Sequence, residues 1–340
     1  MHPTIARVMA LFAVLALGQG AAAQDPSHAV ESAWKLSTAL GPAYPQGKAG
    51  ELWAALIDER SGGRLKVKLY PGATLAQRDP AREFAALREG AIDLAVGSAA
   101  SWAPQVRELN LFALPWLFPD ADALDALLRS EVVGRLEERV RAAGAEPLAW
   151  VPDGFRELAT RRAIHAPGDV AGLRLRVSPL QPLLDTLLAL GAAPASMDAA
   201  SALAASAHGA LDGETIGIAA YATSRLYASG YTHLLLWGAH ADALLFAVNR
   251  VRWNTLSEAD RELVRQAARD AAGQAAALTR RLTDTASLAE LGRHGVTATR
   301  LTSAGKQPFR AAARTAYERW SAVVGEDLVR AAEAVVAAPR

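Results

Sequence analysis

Cysteine is absent from the 340 residues of this chain. That excludes disulfides, thiolate metal sites, cysteine nucleophiles and the lipidated cysteine that would tether an exported chain to a membrane. An excess of either charge is missing too, because 36 Lys and Arg face 35 Asp and Glu for a formal net charge of +1. A chain so nearly neutral carries no electrostatic footprint for nucleic acid or an acidic membrane surface. No Gly-x-Ser-x-Gly elbow, Walker loop, Gly-x-Gly-x-x-Gly turn after a strand or His-Glu-x-x-His pair occurs, which removes the usual motifs of nucleophilic, nucleotide and zinc chemistry. The seven histidines lack metal-ligand spacing. His233 and His240, in an apolar stretch, are read as structural or surface residues, and no metal or cofactor is implied.

What is present begins with a leader. Arg7 precedes an apolar run from Val8 to Leu17, and Gly18-Gln19-Gly20-Ala21-Ala22-Ala23 supplies an Ala-x-Ala cleavage site. Residues 1–23 therefore read as a signal peptide, too short to span a bilayer. The mature protein is expected to be soluble and periplasmic. Apolar residues at 51% and charged ones at 21% give a globular balance, and the length suggests two domains with cores of their own.

Alternating and apolar runs predict strands at Trp34–Thr38, Arg64–Pro71, Ala91–Ser98, Glu146–Val151, Leu234–Trp237, Ala243–Asn249 and Val296–Thr299. Helical spacing predicts helices over Gln46–Ser61, Pro80–Glu89, Ala121–Ala143, a long one opening at Ser257 and stopping near Gly292 or Gly295, and mostly helix from Phe309 to Ala338. Leu109–Pro119, rich in Leu, Phe, Trp and Pro, reads as a buried crossing loop. A lobe-sized repeat is visible as well. The run from Gly63 to Pro71 is echoed by that from Gly172 to Pro179, and Gly90-Ala-Ile-Asp93 by Gly209-Ala-Leu-Asp212. Two similar α/β lobes with a ligand in the cleft between them fit such a repeat better than a solenoid.

Within the second copy, Leu173, Leu175 and Val177 alternate with Arg174 and Arg176 before Pro179. Arg176 thus falls near the carboxyl end of a predicted strand, the edge at which open α/β sheets bind ligands, and a guanidinium there suits a carboxylate. The spacing equally allows both arginines to lie on a solvated or helix-covered face. Asp93 and Asp212 invite an acid/base reading, but their shared place after a glycine stop favours matching structural roles.

These residues resemble the DctP-type solute-binding proteins of tripartite ATP-independent periplasmic (TRAP) transporters, from about Trp34 to Val324. The resemblance is carried by Ser61–Pro71, Arg88–Asp93, Phe112–Phe118, Gly154-Phe-Arg156, Gly168–Val177, Gly191–Pro194 with Met197, and Ala210–Glu214. It implies a type II periplasmic-binding-protein fold in which two α/β lobes, joined by crossing strands and a long helix, close on a ligand. Lobe I would take residues 24–153 plus 242–281, and lobe II residues 154–241 plus 282–340. The implied role is a non-enzymatic monomer that hands a small organic acid to a TRAP permease in the membrane. By the same resemblance Arg176 pairs with the substrate carboxylate and Arg156 supports it. Ser98, Trp102 and Tyr44 are first-lobe pocket positions, and Glu214, Thr215 and Ile216 form the second-lobe pocket segment.

Sialic-acid-binding members carry Asn where this chain has Ile216, an acidic residue near Ser98 and an aromatic near Ala199. Those partners are missing here, so a polyhydroxylated sugar acid is not expected; a monocarboxylate, 2-oxo acid, dicarboxylate or aromatic acid fits. The alternative is an exported two-lobed enzyme acting on a small carboxylic acid through Asp93 or Glu214.

Overall fold

The structure, a computed structural model, describes residues 33–178 and 180–338; the expected signal peptide lies outside the described residues. Nine strands form one mixed sheet: β1 (Trp34–Thr38), β2 (Val67–Pro71), β3 (Leu94–Ser98), β4 (Ala145–Thr160), β5 (Arg174–Val177), β6 (Ala193–Ser196), β7 (Gly213–Gly217), β8 (His233–Asn249) and β9 (Thr297–Arg300). Their order is β2-β1-β3-β8-β4-β7-β5-β6, with β9 beside β8.

The repeat seen in the sequence is the symmetry of this sheet. β1 lies parallel between β2 and β3, and β5 lies parallel between β6 and β7. β3 then runs antiparallel to β8, and β7 antiparallel to β4. Asp93 and Asp212 do the same job in the two copies: the Lys35 amide donates to Asp93 Oδ2 at 2.8 Å, and the Arg174 amide to Asp212 Oδ2 at 2.8 Å. Each carboxylate ties the entry of its own strand to the neighbouring one, a structural role that leaves no acid/base pair.

β4 and β8 are far longer than their apolar runs predicted, and they join the two copies. β8 pairs with β3 and with Ala145–Gly154 of β4 from Asp242 onward, and with Arg156–Thr160 and β9 before that. The strand expected over Glu146–Val151 runs on through Pro152 and Gly154, and it also contains Pro147, residues that ordinarily interrupt a ladder. Instead the ladder shifts register between Pro147 and Ala149 and between Pro152 and Gly154, so bulges absorb the missing N–H groups. Gly238, at φ 58°, likewise lets β8 continue through what read as a break. The strand is buried throughout from Leu234 to Asn249.

Helices cover both faces. Pro45–Arg60 and the long helix Glu258–Thr283 pack together on one face, where Trp53, Ile57, Val264 and Ala268 join Phe246 and Val248 of β8. The long helix also reaches β4 and the helix Ile218–Thr223, so it spans both copies. It stops at Thr283 rather than near Gly292, because the Asp284 side chain caps a new helix, Thr285–Arg293. Ser130 similarly caps Glu131–Ala142 and divides the single helix expected over Ala121–Ala143. The segment Leu109–Phe118 is buried in the opposite core, as its composition required.

Candidate functional site

Leu175 and Val177 of β5 sink into the core with Leu183 and Leu187 of the helix Gln181–Ala189. Strand alternation then turns Arg176 to the other face, level in register with Glu214 of β7. Arg176 is 8% exposed and Glu214 5%. Arg176 Nε donates to the Met197 carbonyl at 3.0 Å, which fixes the plane of the guanidinium. Nη1 stands 3.8 Å from Glu214 Oε2, close enough to attract and too far for a hydrogen bond. Burial lowers the Arg176 pKa while Glu214 opposes the shift, Arg156 adds to it and Asp198 opposes it. Burial raises that of Glu214, and Arg176 holds it back. An arginine starts so far above neutrality that it keeps its charge.

Arg156 sits where β7 joins β4, level with His240 on β8 and Gly217 on β7. Its Nη2 donates to Asp242 Oδ2 at 2.7 Å and stands 3.4 Å from Asp153 Oδ2. Asp242, 1% exposed, also accepts from Ser98 Oγ at 2.6 Å, the Ala100 amide at 3.2 Å and the Ala243 amide at 2.9 Å. One buried carboxylate therefore gathers groups from β3, β4 and β8. Ser98 meanwhile accepts the Ser101 amide and caps the helix Ala99–Trp102. Burial, with Asp242 adding and Arg156 opposing, pushes the Asp153 carboxyl up to about 7. Asp153 and Asp242 were absent from the candidates read off the sequence. A lone acid inside the apolar run Ala239–Asn249 was the available signal for Asp242.

The remaining candidates scatter. Tyr44 is half-buried at the start of the helix Pro45–Arg60. Trp102 is fully buried: its Nε1 donates to Glu83 Oε2 at 3.3 Å and its ring meets Phe84 edge-on. It belongs to the core behind Ser98. Thr215 alternates to the face opposite Glu214, and its hydroxyl donates to the Arg176 carbonyl at 3.4 Å, lacing β7 to β5. Ile216 packs with Ala159 and Tyr221. His240 is buried, and desolvation, opposed by its Nδ1 contact with the Ala113 carbonyl at 2.7 Å, lowers its pKa to about 4. A concavity of about 350 Å³ near Arg161, Arg162 and Asp212 lies at the other, amino ends of β5 and β7. Its arginines are already engaged by backbone carbonyls of Ser206, Leu211 and Asp169. Among the described residues no cluster of His, Asp and Glu is arranged to hold a metal ion.

The chain is similar to known proteins along nearly all of its described length. A crystal structure of a TRAP periplasmic solute-binding protein from Ralstonia eutropha H16, with bound (S)-2-acetolactate, is 45% identical and superimposes with a TM-score of 0.88 over 90% of this chain and 99% of that one. Another from Sulfurospirillum deleyianum, with bound succinate, is 25% identical with a TM-score of 0.80, covering 89% and 98%. A solute-binding protein of Chromohalobacter salexigens is 30% identical over 70% of each chain. These neighbours share the two-lobed fold and are binding receptors, not enzymes. With residues 36–322 matching the family itself, the chain belongs to bacterial extracellular solute-binding protein family 7, the DctP family.

Proposed function

We propose that this protein is the periplasmic receptor of a TRAP-type transporter, acting as a monomer that captures a small organic acid and delivers it to membrane permease subunits. The observation that carries the reading is Arg176, a nearly buried guanidinium held by the Met197 carbonyl at the carboxyl end of β5. The 45% identical structure with bound (S)-2-acetolactate supports a short hydroxy or oxo acid as the ligand. Arg176 takes the ligand carboxylate, Arg156 supports it from within its ion pair with Asp242, and Glu214 lines the same wall. Ser98 and Tyr44 approach from the first lobe. We take the lobes to divide at Gly154 and Asp242, between the part of β8 that pairs with β3 and the part that pairs with β9.

Capture follows from that division. Charge-assisted hydrogen bonds of about 1.5–3 kcal/mol each form fully only when both lobes reach the anion. The ligand thus favours the closed arrangement by its differential affinity, and closure builds the surface that the permease reads. Mass spectrometry of ligand carried through purification tests the reading, together with a thermal-shift screen of organic acids. A stabilising acid whose effect vanishes in Arg176→Ala is expected. Stabilisation that persists unchanged in that variant rejects the assignment.

A further inference from the structure

We propose that Glu214 makes the site selective for acids bearing a single negative charge, turning away dicarboxylates that would otherwise fit beside Arg176. The inference rests on the proposed function, since it takes Arg176 as the seat of the ligand carboxylate. Most of the charge around that seat is already engaged.

Arg156 is the other guanidinium whose charge reaches Arg176. It is committed to Asp242 at 2.7 Å, with Asp153 at 3.4 Å on the same nitrogen. Arg156 therefore has no charge left over for a second carboxylate of the ligand. Arg176 itself faces Glu214 at 3.8 Å, outside hydrogen-bond range, so its terminal nitrogens can be drawn to a ligand without first breaking a locked pair. Once they engage one ligand carboxylate, Glu214 stands beside it as an acid on a nearly buried wall. Asp242 and Glu214 already match Arg156 and Arg176 charge for charge, before Asp153 contributes any. A monoanion adds one charge to this balance, shared with Arg176. A dianion adds a second in a medium that screens poorly, where repulsion from unpaired like charge is severe. Discrimination of this kind works by a repulsive element as much as by an attractive one.

Matched pairs of probes isolate the charge from the shape. Four- and five-carbon dicarboxylates and their monoamides, such as succinate and succinamate, are titrated calorimetrically and by thermal shift at pH 7.5 against the full chain, Glu214→Gln, Glu214→Leu and Arg176→Ala. The wild-type chain is expected to bind the monoamide, or the corresponding hydroxy or oxo monocarboxylate, at least tenfold more tightly than the dicarboxylate. Either Glu214 substitution is expected to raise dicarboxylate affinity by about tenfold or more while changing the monoanion far less. Glu214→Leu keeps the test open should the glutamine adopt an unproductive hydrogen bond. A dicarboxylate that binds the wild type as tightly as its monoamide, with both affinities lost in Arg176→Ala, overturns the selectivity and leaves organic-acid capture standing. If no organic acid of either charge class binds, or if binding ignores Arg176→Ala, the proposed function fails and the selectivity falls with it.

Discussion

The Asp242 carboxylate accepts the Arg156 guanidinium at 2.7 Å at the point where the two long strands pass from one half of the sheet to the other. Removing one partner from such a pair leaves an uncompensated charge out of water. Asp242→Ala should therefore cost about 3 kcal/mol, toward the low end of buried pairs because the Arg156 side chain keeps 18% exposure. Urea denaturation measures it, and a cycle with Ser98→Ala should show coupling, since Ser98 Oγ shares the same oxygen. A loss below about 1 kcal/mol would show that Arg156 finds adequate solvation without its partner.

Buried carboxyls give the protein an inverted pH profile. Burial pushes Glu83 up to about 7 against hydrogen bonds from Ser37 and Trp102, and pushes Glu157 up to about 7 against the Gly238 amide and other donors. From their ordinary value of 4.5 up to about 7 the folded chain keeps protons that the unfolded chain has released, so stability falls as pH rises through that window. His240 works the other way: lowered from 6.5 to about 4, it makes stability fall as pH drops across that interval. Two glutamates outweigh one histidine, and Asp153 adds to them by less because its side chain keeps 23% exposure. Below about pH 4, carboxylates held down by arginines, such as Asp212 and Asp260, lose their partners. Melting temperature should thus peak near pH 5 and decline toward 7.5. Glu83→Gln should shrink the decline; an identical slope in that variant would remove Glu83 from the explanation.

Gly97 is required by its neighbour. A Cβ there would lie 1.9 Å from the Trp102 ring, and that ring is fully buried against Phe84. Gly97→Ala should destabilise by about 3 kcal/mol through overpacking, with a shifted tryptophan emission as Trp102 is displaced. A well-folded variant with unchanged emission would mean that the strand, not the ring, moves aside.

Arg176→Lys separates charge from geometry. Lysine retains the positive charge but loses both the planar fork and the Nε bond to the Met197 carbonyl. Ligand affinity should drop by about a hundredfold, more gently than in Arg176→Ala, as read by calorimetry with the acid recovered from purification. Equal affinity in the lysine variant would reduce the role of Arg176 to a point charge.

Much of this molecule was visible in its one-dimensional pattern. The alternation Leu173, Leu175, Val177 located β5, and the Gly90/Asp93 and Gly209/Asp212 echo anticipated two copies of one strand arrangement with equivalent aspartates. Local chemistry suffices for such features, since strand period, glycine stops and caps act within a few residues. β4 was underestimated because proline and glycine end strands unless a neighbour accommodates a bulge, and that neighbour, β8, lies some ninety residues away. Trp102 shows the same limit: nothing local says that a tryptophan beyond a capping serine will fold back onto Gly97 and Glu83.

The amino-acid order alone set which residues alternate, where helices are capped, and that an arginine ends a strand in the second copy. Only the tertiary structure decided which charges neutralise one another. Asp242 meets Arg156 and Ser98 because three strands converge, and Glu214 faces Arg176 because β7 lies beside β5. Electrostatic partnership depends on distance and burial in space, and neither is written in the spacing along the chain.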